Sequence, residues 1–186
     1  MWITVCRQWQ CMIASSWSCL KSLDTDVKTW GINKNIYGDG YKMIFESLLK
    51  RCGRYLTKLI VDCYSDSQKC IKVDNHIVNM IRRYCLYLQE INIGFRSFES
   101  KDEVEAIKPI FNKMKKIECM FWHNISDEEL KEFFSLNSQL EYLSIYLEMA
   151  MLDIDFFDTL PQTITKLTIR IRNVPLHRIC HVSLFH

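Results

Sequence analysis

The sequence predicts an α/β fold of a repeating kind: short parallel strands on an inner, concave side, helices on the outer side, and a helical segment ahead of the first strand. Three observations predict it. A strand-sized apolar pattern recurs at near-constant spacing. The segments between its copies carry helical stripes with caps. The polar residues inside the pattern alternate with the apolar ones, which leaves one strand face open.

The pattern is apolar, two residues, apolar, one residue, apolar. It begins in degraded form at Leu20-Lys21-Ser22-Leu23-Asp24-Thr25. Leu56, Leu59 and Val61 carry the second copy, and Leu88, Ile91 and Ile93 the third. Met114, Ile117 and Cys119 carry a looser fourth, Leu140, Leu143 and Ile145 the fifth, and Ile164, Leu167 and Ile169 the sixth. The copies start at 20, 56, 88, 114, 140 and 164, so the last steps are nearly equal at 26, 26 and 24 residues. Chance hits to so loose a pattern are common, but equal spacing is not.

Helices are expected between the copies. Tyr41, Ile44, Phe45, Leu48, Leu49 and Cys52 form one stripe, with Gly53 as its stop. Asp74 is placed to N-cap a helix that buries Ile77, Val78, Ile81, Tyr84 and Cys85. Ser100 with Glu103, and Ser126 with Glu129, have capping-box spacing. Pro109 removes a donor and is expected to kink the third helix. A short last helix from Asp155 is expected to stop at Pro161.

A strand–loop–helix unit of this size cannot bury its own apolar face, so its neighbours must stack on it. An ordinary α/β domain would have strands covered on both faces and apolar throughout. Here Lys58, Glu90, Asn92, Glu118, Ser144, Lys166 and Thr168 fall on the alternate face. The pattern resembles the leucine-rich repeat family in its irregular, helix-containing, intracellular version. The resemblance covers residues 20–175 in about six repeats and implies a leucine-rich-repeat solenoid. The Asn or Cys that many such repeats carry after the third apolar position is missing, so irregular turns are expected.

Residues 1–19 do not fit the repeat. Val5-Cys6-Arg7-Gln8-Trp9, an Ala14-Ser15-Ser16 stretch, Trp17 and then Leu20-Lys21-Ser22-Leu23-Asp24 are similar to the second half of an F-box. That resemblance implies a substrate-recognition subunit of a cullin-type (SCF) ubiquitin ligase. Its partners would be a Skp-type adaptor, a cullin and a target protein, with Val5, Cys6, Trp9 and Ile13 facing the adaptor. The family motif is about twice as long and opens with a Leu-Pro segment and a first helix that carry much of the adaptor contact. Met1 falls inside its last part, so the chain reads as a fragment, an alternative start or an incomplete gene model. The alternative is a stand-alone repeat scaffold. Residues 176–186 read as an uncapped tail.

Other classes find little support. The 24 Lys and Arg against 22 Asp and Glu give a net charge of +2, too balanced to argue for a nucleic-acid or membrane surface. The most apolar stretch, 142–152, carries Glu148 and falls short of a membrane span. Nine Cys, odd in number and irregular in spacing, read as reduced residues of the cytoplasm or nucleus. Gly38-Asp39-Gly40 lacks the Lys-Ser/Thr of a phosphate loop. His177, Cys180 and His181 lack a nearby fourth metal ligand. No nucleophile–base pair stands out. The chain is therefore expected not to be an enzyme and to need no cofactor and no metal.

The expected target site is the face between the inward apolar positions. Its charge runs from Asp24 and Asp62 at the first copies to Lys166, Arg170 and Arg172 at the last, with Tyr142 and Tyr146 beside that basic end. Tyr and Arg are over-represented at binding hot spots, and Arg grips a carboxylate or phosphate with two parallel hydrogen bonds. An acidic or phosphorylated target segment across Tyr142, Tyr146, Lys166, Arg170 and Arg172 is the expectation.

Overall fold

The structure is a computed structural model. It describes residues 16–25, 39–61, 73–95, 101–121, 126–135, 137–147, 155–173 and 178–185. Six parallel strands stand side by side in chain order: β1 (Ser22–Asp24), β2 (Lys58–Ile60), β3 (Glu90–Phe95), β4 (Lys116–Phe121), β5 (Tyr142–Leu147) and β6 (Lys166–Asn173). Between them run α1 (Asp39–Cys52), α2 (Asn75–Tyr84), α3 (Lys101–Phe111), α4 (Asp127–Phe134) and the short α5 (Asp155–Asp158). The chain is thus an α/β protein.

The phase of the sequence pattern is the register of the sheet. Leu23, Leu59, Ile91, Ile117, Leu143 and Leu167 are direct cross-strand neighbours. Ile93, Cys119, Ile145 and Ile169 form the next column, and Phe95, Phe121, Leu147 and Ile171 the one after it. A one-residue slip at any strand would turn its apolar set outward, so this burial pins the register. The backbone repeats as well. The carbonyl of Lys21 accepts from the N–H groups of both Thr57 and Lys58, and that of Thr57 from Gln89 and Glu90. The carbonyl of Gln89 accepts from Lys115 and Lys116, that of Lys115 from Glu141 and Tyr142, and that of Glu141 from Thr165 and Lys166. One carbonyl per unit therefore holds the entry of the next strand.

One core lies between the inward strand residues and the helices. It contains Tyr41, Phe45 and Leu49 of α1, Ile77 and Ile81 of α2, Ile107 and Ile110 of α3, Leu130 and Phe133 of α4, and Phe156 of α5. An aromatic block lies beneath the middle strands. Phe95 stacks on Phe121 at 5.5 Å, Phe121 on Phe133 at 6.0 Å, and Phe111 on Phe134 at 5.9 Å between ring centroids. Ion pairs tie consecutive helices on the outside. Lys42 of α1 meets Asp74 at 2.6 Å, and Lys108 of α3 meets Glu105 at 2.6 Å and Glu132 of α4 at 2.5 Å.

The caps act where the sequence places them. Asp74 accepts from the N–H groups of His76 and Ile77, both at 3.1 Å. Ser126 and Glu129 form a reciprocal capping box. Ser100 lies outside the described residues. Helix α3 runs through the exposed Pro109, and the N–H of Asn112 bonds the carbonyl of Lys108 at 2.9 Å.

Two expectations change. Gly53 does follow the last residue of α1, but it opens a 3-10 turn (Gly53–Tyr55). It is needed because a Cβ there would lie 2.9 Å from the carbonyl oxygen of Tyr84. The tail expected over 176–186 contains an eight-residue strand: β7 (Arg178–Phe185) pairs antiparallel with β6. Its register runs from Lys166 opposite Phe185 to Asn173 opposite Arg178. Reversal lets the chain pair with the last parallel strand directly, without a helical crossover.

Candidate functional site

The sheet face away from the helices is the candidate site. Strand alternation sends every second residue to it, and the parallel register arranges these residues in columns. The first column is Ser22, Lys58, Glu90, Lys116, Tyr142 and Lys166. The second is Asp24, Ile60, Asn92, Glu118, Ser144 and Thr168. The third is Gly94, Met120, Tyr146 and Arg170. Most of these side chains are at least partly exposed, whereas their neighbours on the helix side are buried. Met120 and Thr168 depart from this. They stand on the open face yet are 6% and 7% exposed, so they form floor rather than contact surface.

The middle of the face is satisfied internally. Lys58 pairs with Glu90 at 3.6 Å and Lys116 with Glu118 at 3.0 Å. The Asn92 side-chain amide donates to Glu118 Oε2 at 2.9 Å. Partial burial works against the charge on Lys116. Its hydrogen bond to Glu118 and the surrounding negative groups outweigh that, so its pKa is raised. These residues line a hollow of about 40 Å³, against the roughly 300–1,000 Å³ of a small-molecule pocket.

The end at β5 and β6 differs. Tyr142 is flanked by two ammonium groups: Lys116 Nζ lies 4.5 Å and Lys166 Nζ 5.1 Å from its ring centroid, the geometry of a cation–π contact. Tyr146 pairs across the strands with Arg170, as Tyr142 does with Lys166. Arg170 is exposed, and its guanidinium has no carboxylate within ion-pair distance among the described residues. Among the described residues, Lys166 and Arg170 of β6 therefore stand without the balancing anions found at the middle strands.

The structure thus brings Tyr142, Tyr146, Lys166 and Arg170 together on one face. The backbone of Arg172 continues β6 opposite Ile179 of β7, which the sequence did not foresee. Val5, Cys6, Trp9 and Ile13, the residues implied for adaptor contact, lie outside the described residues, as do Asp62 and His177. At the described start, residues 16–18 form a helical turn, and Trp17 and Leu20 pack against the core beside β1.

Sequence reasoning also missed Asn137. It is fully buried and joins two units: its Nδ2 donates to the carbonyls of Phe111 at 2.6 Å and Met114 at 2.7 Å, and its Oδ1 accepts from the Gln139 N–H at 2.9 Å. The signal was an Asn three residues ahead of Leu140, in place of one after the third apolar position.

Among the described residues, no three His, Cys, Asp or Glu side chains cluster as metal ligands, and no helix is long and apolar enough to cross a membrane. No family model and no curated protein sequence matches the chain.

Proposed function

We propose that the chain is a target-binding subunit of a cullin-type (SCF) ubiquitin ligase, built as a leucine-rich-repeat solenoid that holds a target protein on its open sheet face. In this reading it catalyses nothing. It works in the cytoplasm or nucleus by raising the effective concentration of the target near the charged ubiquitin carrier. The observation that carries the binding role is the pair Lys166 and Arg170, without a carboxylate partner among the described residues, beside Tyr142 and Tyr146, on a face whose middle lysines Lys58 and Lys116 are paired. The ligase role rests on the likeness of Val5-Cys6-Arg7-Gln8-Trp9 to the second half of an F-box. The continuity of Trp17 and Leu20 with the core also supports it.

The test is reconstitution with a purified Skp-type adaptor and cullin, followed by size-exclusion chromatography. Co-elution that is lost on Trp9→Ala supports the reading. Separate elution of a folded chain counts against the ligase role. It leaves the second reading, a stand-alone interaction scaffold, which is favoured by one observation: the described open face is built from repeat strands between Ser22 and Arg170.

A further inference from the structure

Resting on the reading that the open face binds a target, we infer that this face takes an extended acidic protein segment with two carboxylates four residues apart, one at Lys166 and one at Arg170. Lys166 and Arg170 lie on the same strand and, being an even number of residues apart, on the same face. At ~3.3 Å per residue their Cα atoms are about 13 Å apart. Tyr142 and Tyr146 repeat this spacing on the adjacent strand. The four residues therefore mark a rectangle with a cation and an aromatic ring at each short side.

Between the short sides lie Ser144, which is small, and Thr168, which is buried. The floor is low there and gives room for a backbone. In an extended ligand, side chains at i and i+4 share one face and span the same ~13 Å as the two cations. Glu or Asp at those positions would meet one cation each, and Arg170 can hold its carboxylate with two hydrogen bonds. The alternative anion, a single phosphate, favours cations that converge on one point. Here the Lys166 ammonium lies over the Tyr142 ring instead, at 5.1 Å from its centroid. The middle strands offer no competing site for acidic groups, because Lys58 and Lys116 are already paired with Glu90 and Glu118.

The test uses fluorescent synthetic peptides and the full chain, read by anisotropy at fixed salt. The peptides carry two Glu placed two, four or six apart on one Ser/Thr/Val background. Controls carry Lys in place of Glu, or a single phosphoserine. The four-apart peptide should bind about fivefold or more tighter than the others. The double variant Lys166→Gln/Arg170→Gln should weaken it about tenfold or more, while Lys58→Gln should leave it within about twofold. Equal binding at every spacing, preference for the phosphoserine peptide, no binding of any peptide, or indifference to the double variant would overturn the inference.

Ser144→Trp, which puts a ring on the face between the cations, separates the two levels. If peptides bind regardless of charge and Ser144→Trp abolishes it, the open-face reading stands and the acidic specificity falls. If binding ignores Ser144→Trp in a chain that remains folded by circular dichroism, the open-face reading itself falls. Tyr146→Ala, which removes a ring from the same face without changing its charge, serves in its place if the Trp variant fails to fold.

Discussion

The side-chain amide of Asn137 donates to the backbone carbonyl of Met114 at 2.7 Å, across the boundary between two strand–helix units. Its second donation, to the Phe111 carbonyl at 2.6 Å, satisfies the end of α3 as well. Asn137→Ala would take from the Met114 carbonyl its side-chain donor, while the Phe111 carbonyl keeps the Met114 N–H at 3.1 Å, a cost of about 1–3 kcal/mol. Urea unfolding measures it directly. A loss below ~0.5 kcal/mol would mean that the Met114 carbonyl finds another donor.

Gly53 sets a sign test. In an open turn or helix, Gly→Ala often stabilises by about 0.4–1 kcal/mol, because it narrows the unfolded ensemble. Here the new methyl would lie 2.9 Å from a backbone oxygen of Tyr84, which cannot move without shifting the end of α2. Gly53→Ala should therefore destabilise, by about 1–3 kcal/mol. A variant that melts above the parent would show that α1 and α2 are not this close.

Acid should weaken the α2 cap. Partial burial works against the Asp74 carboxylate, but Lys42 and the N–H groups of Ile77 and His76 outweigh it and lower its pKa. A depressed folded-state pKa gives stability that is fully present above the unfolded value of about 3.9 and is lost as pH falls through the folded value. Asp74→Ala should cost about 1 kcal/mol near pH 7, and the gap between parent and variant should close at the acid end. A gap that stays constant with pH would place the effect in the neutral cap geometry alone.

These cases also show what the sequence makes legible. Strand positions and register were readable because the apolar period of each copy is enforced by one shared core, so that Leu59, Ile91, Ile117 and Leu143 align. Asp74 and Ser126 were readable because capping is local chemistry. The role of Gly53 was not, since the obstructing Tyr84 is remote in sequence. Nor was Asn137, whose partners lie in the previous unit. Strand β7 was missed because it begins just beyond Pro175 and breaks the period of the copies by reversing direction. At the candidate site, the residue types at the basic end were readable. The pairing of Lys58 and Lys116 with carboxylates, which singles that end out, needed the register.

Cysteine chemistry should divide by burial. Cys85 is pushed up to about 12 by burial and by the neighbouring Cys52 thiol, and burial raises Cys52 and Cys119 as well. Since the thiolate is the reactive form, these three should resist alkylation in the folded chain at pH 8, while the exposed Cys19 is labelled. Mass spectrometry of digested, iodoacetamide-treated protein reads this site by site. Rapid native labelling of Cys85 or Cys119 would contradict the packed interior described above.

The account turns on the open face being the binding surface, and hydrogen–deuterium exchange on the full chain with and without the four-apart Glu peptide tests it most directly. Protection should be confined to Tyr142–Leu147 and Lys166–Asn173, the strands that carry Tyr142, Tyr146, Lys166 and Arg170. Protection of the helices, with β5 and β6 unchanged, would contradict it.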